Sequence, residues 1–256
     1  MALKRAQTLD RSLQQNAEKA KHFQTFMSKV ISSGAAEVAP PANKQECWYL
    51  PLFGVYNSKK PGQKRGVFDS SAVYQGVSLN DVLMSNPDMT NSLLGILMRF
   101  RKNAVAVSAD VKQMFYRFKV HPDHRDFLRF FWYKNNDLNS SLIEYRMTVH
   151  VFGNCASPAI ATLGLQKAVH TADDEVKDFV ARDFYVDDAL TFKPTAQQAI
   201  TLLKITQKTL ADGGNVRLHK VASNSLEVLK AFPAEDLGGI LKLLISMRTA
   251  YQLKGA

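Results

Sequence analysis

Cysteine is scarce in this sequence, long apolar runs are missing, and each shortage removes a class of protein. Cys47 and Cys155 are the only cysteines in 256 residues, too few for a disulfide framework or a cysteine-rich zinc site. A reducing intracellular compartment is therefore the expectation. No apolar stretch approaches the ~20 residues that a membrane span requires. The opening Met1-Ala2-Leu3-Lys4-Arg5 lacks the apolar centre of a secretory signal. No internal repeat or long low-complexity tract interrupts the chain. What remains is a 46% hydrophobic sequence, enough for one large domain or two small ones around a buried core.

Acidic residues are also in deficit. The formal charge is +10 and the pI is near 9.5, an excess that favours a polyanionic partner, most commonly nucleic acid. Against that background one acidic feature stands out. In Phe184-Tyr185-Val186-Asp187-Asp188-Ala189-Leu190-Thr191-Phe192 two adjacent carboxylates interrupt an apolar run rich in β-branched and aromatic residues. The pattern predicts a strand, a tight turn at Asp187-Asp188 and a returning strand. Two carboxylates at the tip of a buried hairpin need a cation, either a divalent metal or a basic side chain.

Periodicity places the other elements. Apolar residues at three- and four-residue spacing predict one amphipathic helix from about Leu3 to Ile31, stopped at Gly34. Ala35 to Gln45, with Pro40-Pro41, reads as a linker. Strands are expected at Leu50–Tyr56 and Arg65–Phe68 around a basic loop, and a helix at Ser92–Arg101. Ala104 to Asp110 is an apolar strand ending in a carboxylate. Phe127–Trp132 and Ile143–Met147 form a second hairpin. Ser157-Pro158 opens a helix running to about Val169, as a capping serine before a first-turn proline. Thr195 to Ala211 is a further helix closed by Gly213-Gly214. Val216–Val221 is a strand carrying Arg217, His219 and Lys220, and Asp236 to Leu241 is helix-like. Strands and helices interleaved irregularly predict an α+β fold with helices on a largely antiparallel sheet.

If the strand ending at Asp110 neighbours the Asp187-Asp188 hairpin, three carboxylates meet at one sheet edge. Oxygen ligands with no histidine or cysteine beside them in sequence suit Mg²⁺ or Mn²⁺. Two such ions can activate a hydroxyl and stabilise a leaving oxygen in phosphoryl transfer. Each piece has an ordinary reading when taken alone. An Asp-Asp pair is a common turn, Phe115 is a core residue, and Arg65 and Lys220 are solvated cations.

Taken together and in order, the motifs resemble the reverse transcriptase of LTR retrotransposons, and most closely the Bel/Pao group. The resemblance runs from about Tyr49 to Ser225. It rests on Arg65-Gly66-Val67-Phe68-Asp69-Ser70-Ser71-Ala72, Ser78-Leu79-Asn80-Asp81, Ser108-Ala109-Asp110-Val111-Lys112-Gln113-Met114-Phe115, Phe152-Gly153-Asn154-Cys155-Ala156-Ser157-Pro158, Tyr185-Val186-Asp187-Asp188, and Arg217-Leu218-His219-Lys220. It implies a right-hand polymerase fold: a palm with an antiparallel sheet backed by helices, plus a fingers subdomain, with the thumb absent or vestigial. The implied division is an N-terminal helix and linker over 1–45, fingers over 46–98 and 121–157, palm over 99–120 and 158–225, and a tail over 226–256.

The resemblance also implies residue roles. Asp110, Asp187 and Asp188 would be catalytic and hold two Mg²⁺ or Mn²⁺ ions, with the Val111 carbonyl as an extra ligand. Arg65 and Lys220 would hold the deoxynucleoside triphosphate, Phe115 would screen the sugar 2′ position, and Phe152, Gly153 and Tyr185 would line the nucleotide site. Lys59, Lys60, Lys64, Arg99, Arg101, Ser157 and Pro158 would contact an RNA or DNA template and its primer. The implied setting is a polyprotein in a cytoplasmic virus-like particle with access to the nucleus. The sequence departs from the family at Leu52-Phe53, where histidines are common, and at Val221, where tryptophan is usual. Beyond Asn224 the family continues into a thumb, a ribonuclease H domain and an integrase, and the expectation is that the remaining tail supplies none of them. A non-catalytic, transposon-derived nucleic-acid-binding remnant is thus a second reading. A metal-dependent nuclease or phosphatase is a third, but it gives no reason for Arg65, Phe115 and Lys220 together.

Overall fold

A computed structural model describes residues 1–41, 46–56, 64–84, 88–99 and 103–238, without the side chains of Tyr56, Lys64 and Arg65. In chain order the elements are α1 (Ala2–Gln14), α2 (Ala17–Ser32), β1 (Ala36–Val38), β2 (Leu52–Tyr56), β3 (Lys64–Phe68), α3 (Leu79–Val82), α4 (Leu93–Arg99), β4 (Val105–Val111), β5 (Arg129–Tyr133), β6 (Leu142–Met147), α5 (Ser157–Ala168), α6 (Asp174–Arg182), β7 (Phe184–Tyr185), β8 (Asp188–Lys193), α7 (Ala196–Gly214), β9 (Leu218–Ser223) and α8 (Leu226–Lys230). They divide into two compact units, Met1–Asn86 with Phe118–Ser157, and Pro87–Arg117 with Pro158–Ala256. Among the described residues no helix is long and apolar enough to cross a membrane.

In the first unit the N-terminal stretch forms two helices rather than one. Asn16 leaves the helical conformation and its side-chain oxygen accepts from the Lys19 amide at 2.8 Å, so it caps α2. The apolar spacing continues across the break, which is why periodicity alone reads straight through it. Phe23, Met27 and Val30 of α2 are buried, and Phe23 stacks on Trp132 of β5 with ring centroids 6.2 Å apart. The expected linker begins with a strand. β1 pairs antiparallel with β6, Ala36 opposite Met147, giving a sheet of order β1-β6-β5. β2 and β3 form a separate antiparallel pair. Phe68 of β3 meets Phe130 of β5 at 4.8 Å in the core.

Beside that core lies an ionic cluster. Arg129 is fully buried, and its guanidinium bonds Glu144 at 2.7 Å, Asp126 at 2.8 Å and the Pro40 carbonyl at 2.9 Å. Arg146 bridges Glu37 and Asp126, and Arg125 adds a second contact to Glu37. Burying a guanidinium costs several kcal/mol unless its donors are used, roughly, and here they are.

The second unit is built on a four-stranded antiparallel sheet of order β7-β8-β4-β9. α7 packs against β8, β4 and β9, burying Ala199, Ile200, Leu203 and Leu210. Thr195 caps its start by accepting from the Gln198 amide. The helix runs past Gly213-Gly214 and ends at Asn215, in the left-handed region with φ 50°. Gly213 serves a different purpose from the expected stop, because a Cβ there would collide with the Ala168 carbonyl at the end of α5. Ser157 is the first residue of α5, and its buried hydroxyl donates to the Val151 carbonyl at 3.0 Å.

Of the helix-like stretch expected from Asp236 onward, only Asp236, Leu237 and Gly238 are described, and they are not α-helical. A short 3₁₀ turn at Ala234–Asp236 leads into an extended Leu237, which bridges Val221 of β9 in parallel. Gly239-Ile240-Leu241 lie outside the described residues.

Candidate active site

Asp110 sits near the end of β4, a strand hydrogen-bonded on both sides. On one side it lies directly opposite Asp188, the first residue of β8. On the other it lies opposite His219 of β9. Asp187 occupies the turn between β7 and β8, and its carbonyl accepts from the Val111 amide at 2.8 Å. The second unit thus brings Asp110, Asp187 and Asp188 to one end of one sheet, with buried Val111 beside them.

The turn itself is strained. Tyr185 pairs with Asp188, which leaves Val186 and Asp187 as a two-residue loop, and Val186 has φ 55°. Two-residue hairpins favour a positive φ at this first position because it matches strand twist, but glycine is the usual occupant. A β-branched residue there costs on the order of 1–3 kcal/mol. The approach to the turn is held rigidly. The Asn91 amide donates to the carbonyls of Ala181 and Phe184, both at 2.9 Å, and the Phe184 ring meets Phe179 of α6 edge-on at 5.2 Å.

Strand β9 supplies a second irregularity. Ser108 faces Ala222, yet Asp110 faces His219, so β9 carries one residue more than β4 across this interval. The extra residue forms a β-bulge at Lys220, whose φ is 53°. Neighbouring residues of a regular strand point to opposite faces. The bulge instead aims both His219 and Lys220 at Asp110. Lys220 Nζ donates to Asp110 Oδ2 at 2.6 Å, and His219 Nε2 lies 3.1 Å from Oδ1. A carboxylate only accepts, so Nε2 carries the hydrogen. Burial holds the imidazole below its ordinary pKa against the pull of Asp110, which keeps it neutral near pH 7. The bulge is pinned from outside by the tail. The Gly238 amide donates to the Val221 carbonyl at 2.9 Å, and a Cβ on Gly238 would come within 2.6 Å of the Lys220 carbonyl. Arg217 pairs with Asp236 at 2.7 Å.

Like charges press on one another here. The Asp188 carboxyl is held above its ordinary pKa, first by desolvation and then by the negative charges of Asp187 and Asp110, although part of the residue faces solvent. Three mutually repelling carboxylates are the donor set a hard divalent cation takes. Among the described residues, however, no group of three His, Cys, Asp or Glu side chains is already set to hold an ion. The cation on Asp110 is Lys220.

The other expected site residues are distributed as follows. Phe115 lies half-buried on a 3₁₀ turn, Met114–Arg117, directly after β4. Tyr185, half-buried, is in β7. Arg99, at the end of α4, pairs with Asp183 at 3.1 Å and donates to the Arg182 carbonyl. Pro158 is in the first turn of α5. These belong to the second unit. Phe152, Gly153 and Ser157 belong to the first unit. There the Asn80 amide donates to the Gly153 carbonyl at 2.9 Å while its oxygen accepts from the Cys155 amide at 3.0 Å. Gly153 has φ 107° and a Cβ would press on the Phe68 carbonyl, so glycine is required. Lys64 and Arg65 lie in β3, their side chains outside the described atoms, while Lys59, Lys60 and Arg101 lie outside the described residues. Sequence reasoning gave His219 no role. Its placement next to an aligned lysine was the available signal.

No known family profile matches the chain, and no curated protein matches it. Solved structures do. The foamy viral protease–reverse transcriptase in complex with double-stranded DNA superposes with TM-score 0.61 at 18% identity, over 79% of this chain and 31% of that one. The same enzyme in complex with an RNA/DNA hybrid gives 0.58 at 16%, over 79% and 24%. The native prototype foamy virus enzyme gives 0.55 at 16%, over 76% and 23%. The chain therefore has a reverse-transcriptase-like fold and spans less than a third of the length of these structures.

Proposed function

We propose that the chain is the fingers and palm of an RNA-directed DNA polymerase of the Bel/Pao type, which adds deoxynucleotides to a primer on an RNA or DNA template. The observation that carries this reading is Asp110 opposite Asp188 in the ladder, with Asp187 on the adjoining hairpin tip, in a reverse-transcriptase-like fold. Asp110 and Asp187 would hold two Mg²⁺ or Mn²⁺ ions with the Val111 carbonyl as an added ligand, and Asp188 would support the cluster. When bound, such ions supply a lowered pKa for the primer 3′-hydroxyl and neutralise triphosphate charge. Arg65 offers the triphosphate a planar fork and Lys220 a point charge. Phe115 packs where a ribose 2′-hydroxyl would lie and so selects deoxynucleotides by steric exclusion. Lys59, Lys60, Lys64, Arg99 and Arg101 contact template or primer phosphates, which makes binding salt-sensitive.

The test is Mg²⁺-dependent extension of a DNA primer on RNA. Asp187→Asn is expected to lower the rate by at least about a hundredfold, the scale on which metal sites respond to lost ligands or their supports. Normal extension by that variant would sink the proposal. A second reading, a nucleic-acid-binding remnant without catalysis, draws support from the engagement of both Asp110 oxygens by Lys220 and His219. It predicts salt-sensitive binding of primer-template with no extension and no response to metal.

A further inference from the structure

The bulge in β9 gives Asp110 a cation of its own, and the two side chains that reach it differ in freedom. The His219 side chain is 15% exposed and wedged in the sheet, while that of Lys220 is 55% exposed. Lysine is also a point charge on a flexible four-carbon stem, free to leave by rotation alone. We propose that Lys220 is an internal, displaceable counter-ion of Asp110: a divalent cation takes Asp110 by expelling the Lys220 ammonium, which is then released to an anionic ligand. This rests on the reading of Asp110 as a metal ligand.

The argument is one of charge and space. A hard divalent cation binds a carboxylate oxygen at about 2.0–2.6 Å. Lys220 Nζ already lies 2.6 Å from Asp110 Oδ2. Two cations on one carboxylate oxygen would stand only a few ångströms apart, at a separation where like charges repel by about 1 kcal/mol even in bulk water. One must go, and the exposed lysine is the mobile one. His219, wedged in the sheet and bonded to Oδ1, orients the carboxylate and stays in place. The left-handed backbone at Lys220, braced by Gly238, is what places the lysine there at all. A regular strand would turn it to the other face.

Displacement has a signature that a merely supportive lysine lacks: removing the charge should improve metal binding. Mn²⁺ alone is the probe, titrated into the full chain and followed by electron paramagnetic resonance of the free ion. Lys220→Asn keeps a residue that tolerates left-handed backbone, and circular dichroism checks its fold. It is expected to bind Mn²⁺ about two- to fivefold more tightly than wild type, the range that an exposed ion pair represents. Lys220→Arg, which keeps the charge, is expected to stay within about twofold of wild type on the same basis. Asp110→Asn should weaken Mn²⁺ binding by tenfold or more, on the order expected for a damaged metal site. Unchanged or weaker binding by Lys220→Asn, with Asp110→Asn still defective, would overturn displacement while leaving the metal-site reading in place. Equal binding by wild type and Asp110→Asn would remove both.

Discussion

Two clusters of charged side chains, one in each unit, are built in opposite senses. In the first unit Arg125, Arg129 and Arg146 face Glu37, Asp126 and Glu144, three cations for three carboxylates. Arg129 is completely buried and the Tyr49 hydroxyl adds a bond to Glu144 at 3.0 Å. In the second unit Lys220 and His219 engage Asp110, while Asp187 and Asp110 press on Asp188 and hold its carboxyl above its ordinary pKa. The first arrangement is closed and satisfied, and it holds β5, β6 and the segment before them together. The second sets like charges against one another at the end of a sheet. Opposite charges packed around a buried guanidinium serve the fold, whereas like charges gathered at a sheet end are available for a ligand.

That contrast is open to attack by measurement. The largest effect should come from Arg129→Ala, which removes a fully buried guanidinium from half-buried Asp126 and Glu144 and is expected to cost about 2–3 kcal/mol in denaturant unfolding. Asp188→Asn should have the opposite sign. In chelator it removes a carboxylate that its neighbours repel, and stability should rise by less than about 1 kcal/mol, since part of the side chain is solvated. If both variants lost stability to the same degree, the two clusters would be equivalent and the distinction would fail. The smallest effect concerns protons in the first unit. Burial holds the His150 imidazole below its ordinary pKa of 6.5, so the unfolded chain binds a proton more readily than the fold does. Stability from this group is present above about pH 6.5 and is lost as pH falls through and below that value. His150→Gln should flatten that part of the acid limb in a pH series of unfolding midpoints. An unaltered acid limb would show that the first unit is insensitive to charging at that position.

Much of the second unit's site was legible in the sequence, because its carriers sit in local patterns. Ala104–Asp110 announces a strand by its apolar run, and Asp187-Asp188 breaks another run where a hairpin must turn. What could not be read was their relation to β9. Alternation puts His219 and Lys220 on opposite faces, and only the register with β4, more than a hundred residues away in sequence, creates the bulge that unites them. Register is a tertiary property with no local pattern. The same reason hides β1. Ala36-Glu37-Val38 is too short to announce a strand and becomes one by pairing with β6. At Asn16 and Asn215 the failure is different. Both asparagines are ordinary signals for helix ends, but continuing apolar spacing outweighed the first, and the glycines before the second drew the expected end to Ala211, three residues early.

The brace on β9 has a consequence for how this molecule behaves in a crowd. A sheet's outer strands expose unpaired backbone groups that recruit strands from other molecules, and proteins resist this by shortening or covering them. Here one outer strand, β7, has only two residues, and the other, β9, is partly roofed by Leu237 and Gly238. The glycine that makes room for a left-handed lysine therefore also guards the sheet against self-association. A bulky residue at Gly238 would unseat both at once, and aggregation on storage would report it before any assay of chemistry.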